Sequence, residues 1–183
     1  DSSNVSIFGH THKIEANTSI LASGYLHDIS GNTKQSLISG YNHKENAGQN
    51  NATFGSTQTI TSTLNTLTSG LSNTVTTSTH SGIIGQNNTT TTVNDTLISG
   101  ENNTATTVND TLITGKNNTV LNNNYSFIAG IDHNETGGNA NTLLGENQTS
   151  TTSNNTTVNG KDNTILNENN SLLTGDSNTV KNG

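Results

Sequence analysis

The chain has 183 residues, 26% of them apolar, 3% aromatic and 10% charged, with a formal charge of −7 and no Pro, Cys, Met or Trp. A disulfide scaffold, a Cys-based metal site and a cysteine nucleophile are excluded, and 13 Asp and Glu against six basic residues argue against a nucleic-acid partner. Thr (35) and Asn (33) are poor helix formers, so a core of amphipathic helices is excluded as well.

Along the chain, glycine recurs as a ruler: Gly9, Gly24, Gly40, Gly55, Gly70, Gly85, Gly100, Gly115, Gly130, Gly145, Gly160 and Gly175. Every step is 15 residues except Gly24 to Gly40, which is 16. A fixed period over the whole chain signals a repeat architecture. Fifteen residues suit two short strands and tight corners, one coil of a β-solenoid, and the composition agrees. Thr, Ile and Val favour strands, while Asn, Gly and Ser favour turns. The expected fold is all-β, with about twelve 15-residue coils in a single domain over 1–183. One glycine per coil reads as a turn ruler, where φ > 0 or close stacking is required.

Positions are numbered here from the ruler glycine of each coil. Position −2 is mostly apolar (Ile7, Ile38, Ile83, Ile98, Ile113, Ile128, Leu143, Val158, Leu173), with Ala22, Thr53 and Thr68 as departures. Positions −3 and −1 share the opposite face of the strand and compensate in volume. Leu97 goes with Ser99 and Phe127 with Ala129, while Ala52 goes with Phe54 and Thr142 with Leu144. Thr157 with Asn159 is the exception. Both strand faces are therefore apolar. One lines the coil, and the other needs a second layer, most simply another copy of the chain.

Position +5 is again apolar in Ile14, Ile29, Ile60, Val75, Val120, Ile165 and Val180, returning the second strand to the core. Position +3 is always Asn, Gln or His: His12, His27, His43, Gln58, Asn73, Asn88, Asn103, Asn118, His133, Gln148, Asn163 and Asn178. Such a column reads as an inward polar ladder. The His members read as larger versions of its Asn rather than as metal ligands, since no carboxylate shares that phase. Stacked neutral imidazoles would make stability fall in acid.

No catalytic constellation or phosphate loop stands out, and neither an enzyme nor a cofactor is expected. Candidate recognition residues are the apolar ones directly after the glycine, Tyr25, Tyr41, Leu71 and Ile131, with Leu26 beside Tyr25. Exposed aromatics in a polar field are typical interface anchors. Extra glycines in Asn46-Ala47-Gly48-Gln49-Asn50 and Thr136-Gly137-Gly138-Asn139 read as longer turns able to present contacts. Thr at +4 and +6 of several coils, as in Thr59 and Thr61 or Thr104 and Thr106, would form a flat array, so ice binding is an alternative function.

The runs Asn170-Ser171-Leu172-Leu173-Thr174-Gly175, Tyr125-Ser126-Phe127-Ile128-Ala129-Gly130 and Gly137-Gly138-Asn139-Ala140-Asn141-Thr142-Leu143-Leu144-Gly145 resemble the head repeats of YadA-like trimeric autotransporter adhesins. The resemblance covers essentially all twelve coils, although the period is 15 where the family commonly has 14, and −2 is often Ile rather than small. It implies a left-handed parallel β-roll, a homotrimer, and a bacterial surface location. The outer-membrane anchor would be supplied by a C-terminal region outside this sequence, with no membrane insertion by this part. It also implies adhesion to host cell receptors, matrix proteins or other bacteria. A structural spacer or phage fibre segment is a further alternative.

Overall fold

A computed structural model of the chain describes residues 4–15 and 18–181. It is an all-β parallel solenoid of about twelve coils, with no helix among the described residues. Contacts group the coils into two compact units, Asp1–Thr92 and Val93–Gly183. Each unit carries six ruler glycines.

Every coil has the same plan. A first strand runs from −3 to +1, as in Leu97–Glu101, and a second starts at +4, as in Thr104–Asn109. First strands pair with first strands and second with second, in parallel and without slippage: Gly9 on Gly24 and Gly55 on Gly70 in one unit, Gly100 on Gly115 and Gly145 on Gly160 in the other. A third line of single bridges joins position +9 of consecutive coils, from Lys34 to Gln49 to Leu64 and from Asn124 to Asn139 to Asn154.

The chain bends at left-handed corners at +2, +7 and +10, which in the seventh coil are Asn102 (φ 56°), Thr107 (φ 54°) and Asp110 (φ 49°). Asn and Asp tolerate this region better than other non-glycine residues, which accounts for much of the Asn in the sequence. The 16-residue step is absorbed at one corner. Gly31 (φ 67°) and Asn32 (φ 64°) are both left-handed there, so Thr33 returns to the buried +8 position and Lys34 to the bridge line.

Positions −2, +5 and +8 face inward. In the second unit they form one continuous cluster that includes Val93, Ile98, Val108, Ile113, Val120, Ile128, Leu143 and Ile165. In the first unit the core falls into two clusters, Ile20, Ala22, Ile29 and Ile38, then Ile60, Val75 and Ile83. Between them the inward positions are polar, with Glu45 and Thr53 buried, and Thr68 is a further buried polar residue within the span of the second cluster. Positions −3 and −1 face outward, as their alternation with −2 requires.

The ruler glycines lie inside the first strands, not in the turns. Their φ values run from +106° at Gly175 to +142° at Gly130. Both reasons for glycine apply at once. A Cβ on Gly100 would sit 1.9 Å from the carbonyl oxygen of Gly115, and one on Gly115 would sit 1.9 Å from that of Gly130. Gly100→Ala should therefore cost more than about 3 kcal/mol. Gly137→Ala should cost only about 1 kcal/mol, the ordinary left-handed penalty, because a Cβ there meets nothing nearer than Thr152 Oγ1 at 3.9 Å. Urea unfolding of the two variants measures the difference.

Candidate functional site

The +3 column is the polar spine of each unit. The +2 corner interrupts the backbone ladder and leaves the +3 N–H and the glycine carbonyl in need of partners. The side chains supply them. Asn118 N–H donates to Asn103 Oδ1 at 3.1 Å, Asn103 Nδ2 donates to the Gly115 carbonyl at 3.0 Å, and Asn118 Nδ2 donates to that of Gly130 at 3.1 Å. The first unit repeats this, with Asn88 N–H to Asn73 Oδ1 and Asn73 Nδ2 to the Gly85 carbonyl, each 3.0 Å. The ladder bonds mainly to backbone, tying each corner to the glycine of the next coil.

Histidines take the same two roles. His43 Nδ1 accepts the Gln58 N–H at 3.2 Å, so the ring proton sits on Nε2, which donates to the Ser39 carbonyl at 3.0 Å. His133 does the same with Gln148 N–H and the Ala129 carbonyl, both at 3.1 Å. His27 Nδ1 accepts the His43 N–H, and its Nε2 donates to the Ser23 carbonyl. The rings of His12, His27 and His43 stack at 4.8 and 5.0 Å.

A proton added at Nδ1 would point at an N–H, so these sites require neutral imidazole. Burial holds His27, His43 and His133 below the usual value. The Nε2 hydrogen bonds oppose the shift, and the unfavourable placing of a second proton beside a neighbouring imidazole, His12 for His27 and His27 for His43, adds to it. A lowered folded pKa means that the stabilisation is complete above the unfolded value of about 6.5 and is lost as pH falls below it. Relative to a variant with the column's own Asn at 27, 43 and 133, the wild type should lose melting temperature as pH falls from about 7.5 to about 5, and scanning calorimetry of the two proteins side by side measures that difference.

Two carboxyl groups were not anticipated from the sequence. Glu45 and Glu135 occupy the apolar +5 position and are fully buried. Ser36 Oγ donates to Glu45 Oε1 at 2.8 Å and Asn51 Nδ2 at 3.0 Å. Ser126 Oγ and Asn141 Nδ2 donate to Glu135 Oε1 at 3.3 and 2.7 Å. Oε2 of each has no partner. The sequence signal was the spacing Ser-x8-Glu-x2-Gly-x2-Asn, present at Ser36-Glu45-Gly48-Asn51 and again at Ser126-Glu135-Gly138-Asn141. The extra glycines therefore do not lengthen a turn. Gly48 and Gly138 are buried over the carboxyl groups, and a Cβ on Gly48 would lie 2.2 Å from Glu45 Oε1.

On the outside, Tyr25 and Tyr41 end the first strands of the second and third coils and are 44% and 48% exposed. Their rings stack at 5.7 Å, 9° from parallel. Leu26 is the adjoining left-handed corner, half-buried. Leu71 is exposed in the same column, but Ser56 separates it from Tyr41. Ile131 is exposed in the second unit. Around it, position +1 of the second unit is largely ionic, with Glu101–Lys116 and Glu146–Lys161 pairs at 3.3 Å. The outward +4 and +6 threonines, half-buried at Thr59, Thr61, Thr104 and Thr106, flank the inward residue of the second strand.

The large residues of the −3 column are exposed, Leu21, Leu37 and Leu67 in the first unit and Leu97, Leu112 and Phe127 in the second, while Ala52, Gly82, Thr142 and Thr157 are half-buried. In the first unit a shallow groove runs beside it, between Leu21, Leu37 and Ala52 and the corner residues Ser19, Gln35 and Asn50. No family model and no curated protein sequence matches this chain.

Proposed function

We propose that the chain is the head of a YadA-like trimeric autotransporter adhesin. In this reading it is a left-handed β-roll that assembles as a homotrimer on a bacterial surface and binds host cell receptors, matrix proteins or other bacteria. The observation that carries the reading is the outward face of the first strands. Across all twelve coils, positions −3 and −1 hold no charged residue, yet in the single chain they are open to solvent, with Leu97 at 43% and Leu112 at 37% exposed. A solvated sheet face normally alternates with polar residues, as the outward +4 position does with Lys13, Asp28 and Lys44.

Volume compensation between −3 and −1 gives each coil about one large side chain, which is how a packed layer behaves. A cover that fits every row shares the coil period, and a second copy of the chain has that period. Around a threefold axis each copy covers the next. The tyrosine patch stays on the first unit as the recognition surface, and weak contacts repeated on three copies gain avidity.

Equilibrium sedimentation should give three times the chain mass. Leu112→Lys, which leaves the inward face untouched, should give a folded or partly folded monomer by the same measurement. A well-folded wild-type monomer would refute the assembly. Pull-down from host cell surfaces and matrix proteins should succeed with the wild type and weaken about tenfold or more with Tyr25→Ala and Tyr41→Ala together. A trimer that captures nothing would favour the spacer reading.

A further inference from the structure

We propose that Glu45 and Glu135 are proton-held latches: each carboxyl, in its neutral form, seals the corner that passes over it, 46–50 and 136–140, and ionisation releases that corner. The inference concerns the single chain and does not depend on the adhesin reading.

The two sites are built alike, ninety residues apart. Each glutamate stands at +5, where most other coils place Val or Ile, and reaches across the coil interior into room left by a glycine at +8. The fit is close. A Cβ on Gly48 would lie 2.2 Å from Glu45 Oε1 and 2.3 Å from Asn51 Nδ2, and one on Gly138 would lie 2.2 Å from Asn141 Nδ2 and 3.0 Å from Glu135 Oε1. Residues 41–50 and 131–140 have the same burial at every position, with −OH and −NH donors on Oε1 alone.

No cation compensates either group. Beside Glu45, the titratable side chains facing the interior are His43, just before its strand, and His27 of the preceding coil, whose single protons are already given to the Ser39 and Ser23 carbonyls. Lys44 points outward and pairs in register with Asp28 on the outer face of the preceding coil. Lys34 lies on the bridge line of that coil. The following coil offers Gln58, Ile60 and Thr63, none of them titratable. Beside Glu135 the interior group is His133, its proton likewise given away, to the Ala129 carbonyl. Asp132 is an exposed corner residue. The preceding coil presents Asn118, Val120, Asn123 and Ser126, and the following one Gln148, Ser150 and Ser153. The Asn123 amide lies beside Glu135 without reaching hydrogen-bond geometry with any group.

A carboxylate formed here would carry its charge with two neutral donors and no counter-ion, a costly state in a dry interior. Burial accordingly raises both carboxyl groups above the usual value, against the lowering effect of the Asn and Ser hydrogen bonds. For a group whose folded pKa is raised, the stabilisation is complete below the unfolded value of about 4.3 and is lost as pH rises toward the folded one. The corner is the element that can yield, since it is one short loop between two parallel ladders and its outward residues Gln49, Asn50, Asn139 and Ala140 are already exposed.

Hydrogen exchange of backbone amides in 46–50 and 136–140, followed by mass spectrometry, tests this. In the wild type the protection of these corners should fall about tenfold per pH unit above about pH 5, until the carboxyl ionises in place. In Glu45→Gln and Glu135→Gln, which keep the shape and the Oε1 acceptor, protection of the matching corner should stay level. Glu45→Val and Glu135→Val, which copy Val75 and Val120 of other coils, should also stay level and serve if a Gln variant does not fold. A wild type with level protection, or variants that decline in step with it, would overturn the proposal.

Discussion

Stacking without slippage is the constraint on which the rest depends. Each residue in a coil meets its own counterpart in the next, so a choice made once is tested at every turn within a unit. The ruler glycine is the tightest case. Its left-handed φ bends the strand inside the ladder, and the next glycine's carbonyl lies where a Cβ would be. The bend turns that carbonyl toward the interior, and the +3 side chain answers it. Gly115 O with Asn103 and Gly85 O with Asn73 are two instances. Glycine and amide columns are thus parts of one device, each explaining the other.

This arrangement accounts for a core that is polar by ordinary standards. Buried Asn, Gln and His bond mainly to backbone groups that the corners have released, so their burial satisfies groups that would otherwise be orphaned. Buried apolar side chains are needed mainly at −2 and +5, joined by Val93 and Val108 at +8 and by Ile20 just before the second coil's first strand. The same economy leaves the outward −3 and −1 face uncovered by the chain itself, which is the basis of the proposed self-association.

The two acid-base features pull in opposite directions. The His sites are sound when neutral and weaken in acid, and the Glu sites are sound when neutral and weaken in alkali. His43 lies just before the strand that carries Glu45, and His133 just before the strand that carries Glu135. In these two coils acid and alkali therefore each act on a different buried group.

The amino-acid sequence by itself determined the period, the parallel solenoid, the inward columns at −2, +3 and +5 and the outward position of Tyr25, Tyr41 and Leu71, because stacked coils turn a repeat directly into a set of faces. Tertiary structure decided what depends on the coil above or below. It placed the glycines within strands and the sixteenth residue of one step at the Gly31–Asn32 corner. It fixed each imidazole proton on Nε2 through the N–H of a neighbouring coil. It also put Glu45 and Glu135 inside, at a position whose apolar majority hid them, because a glycine three residues on made the room. Those outcomes rest on distances of a few ångströms between residues a full coil apart, which a one-dimensional pattern does not contain.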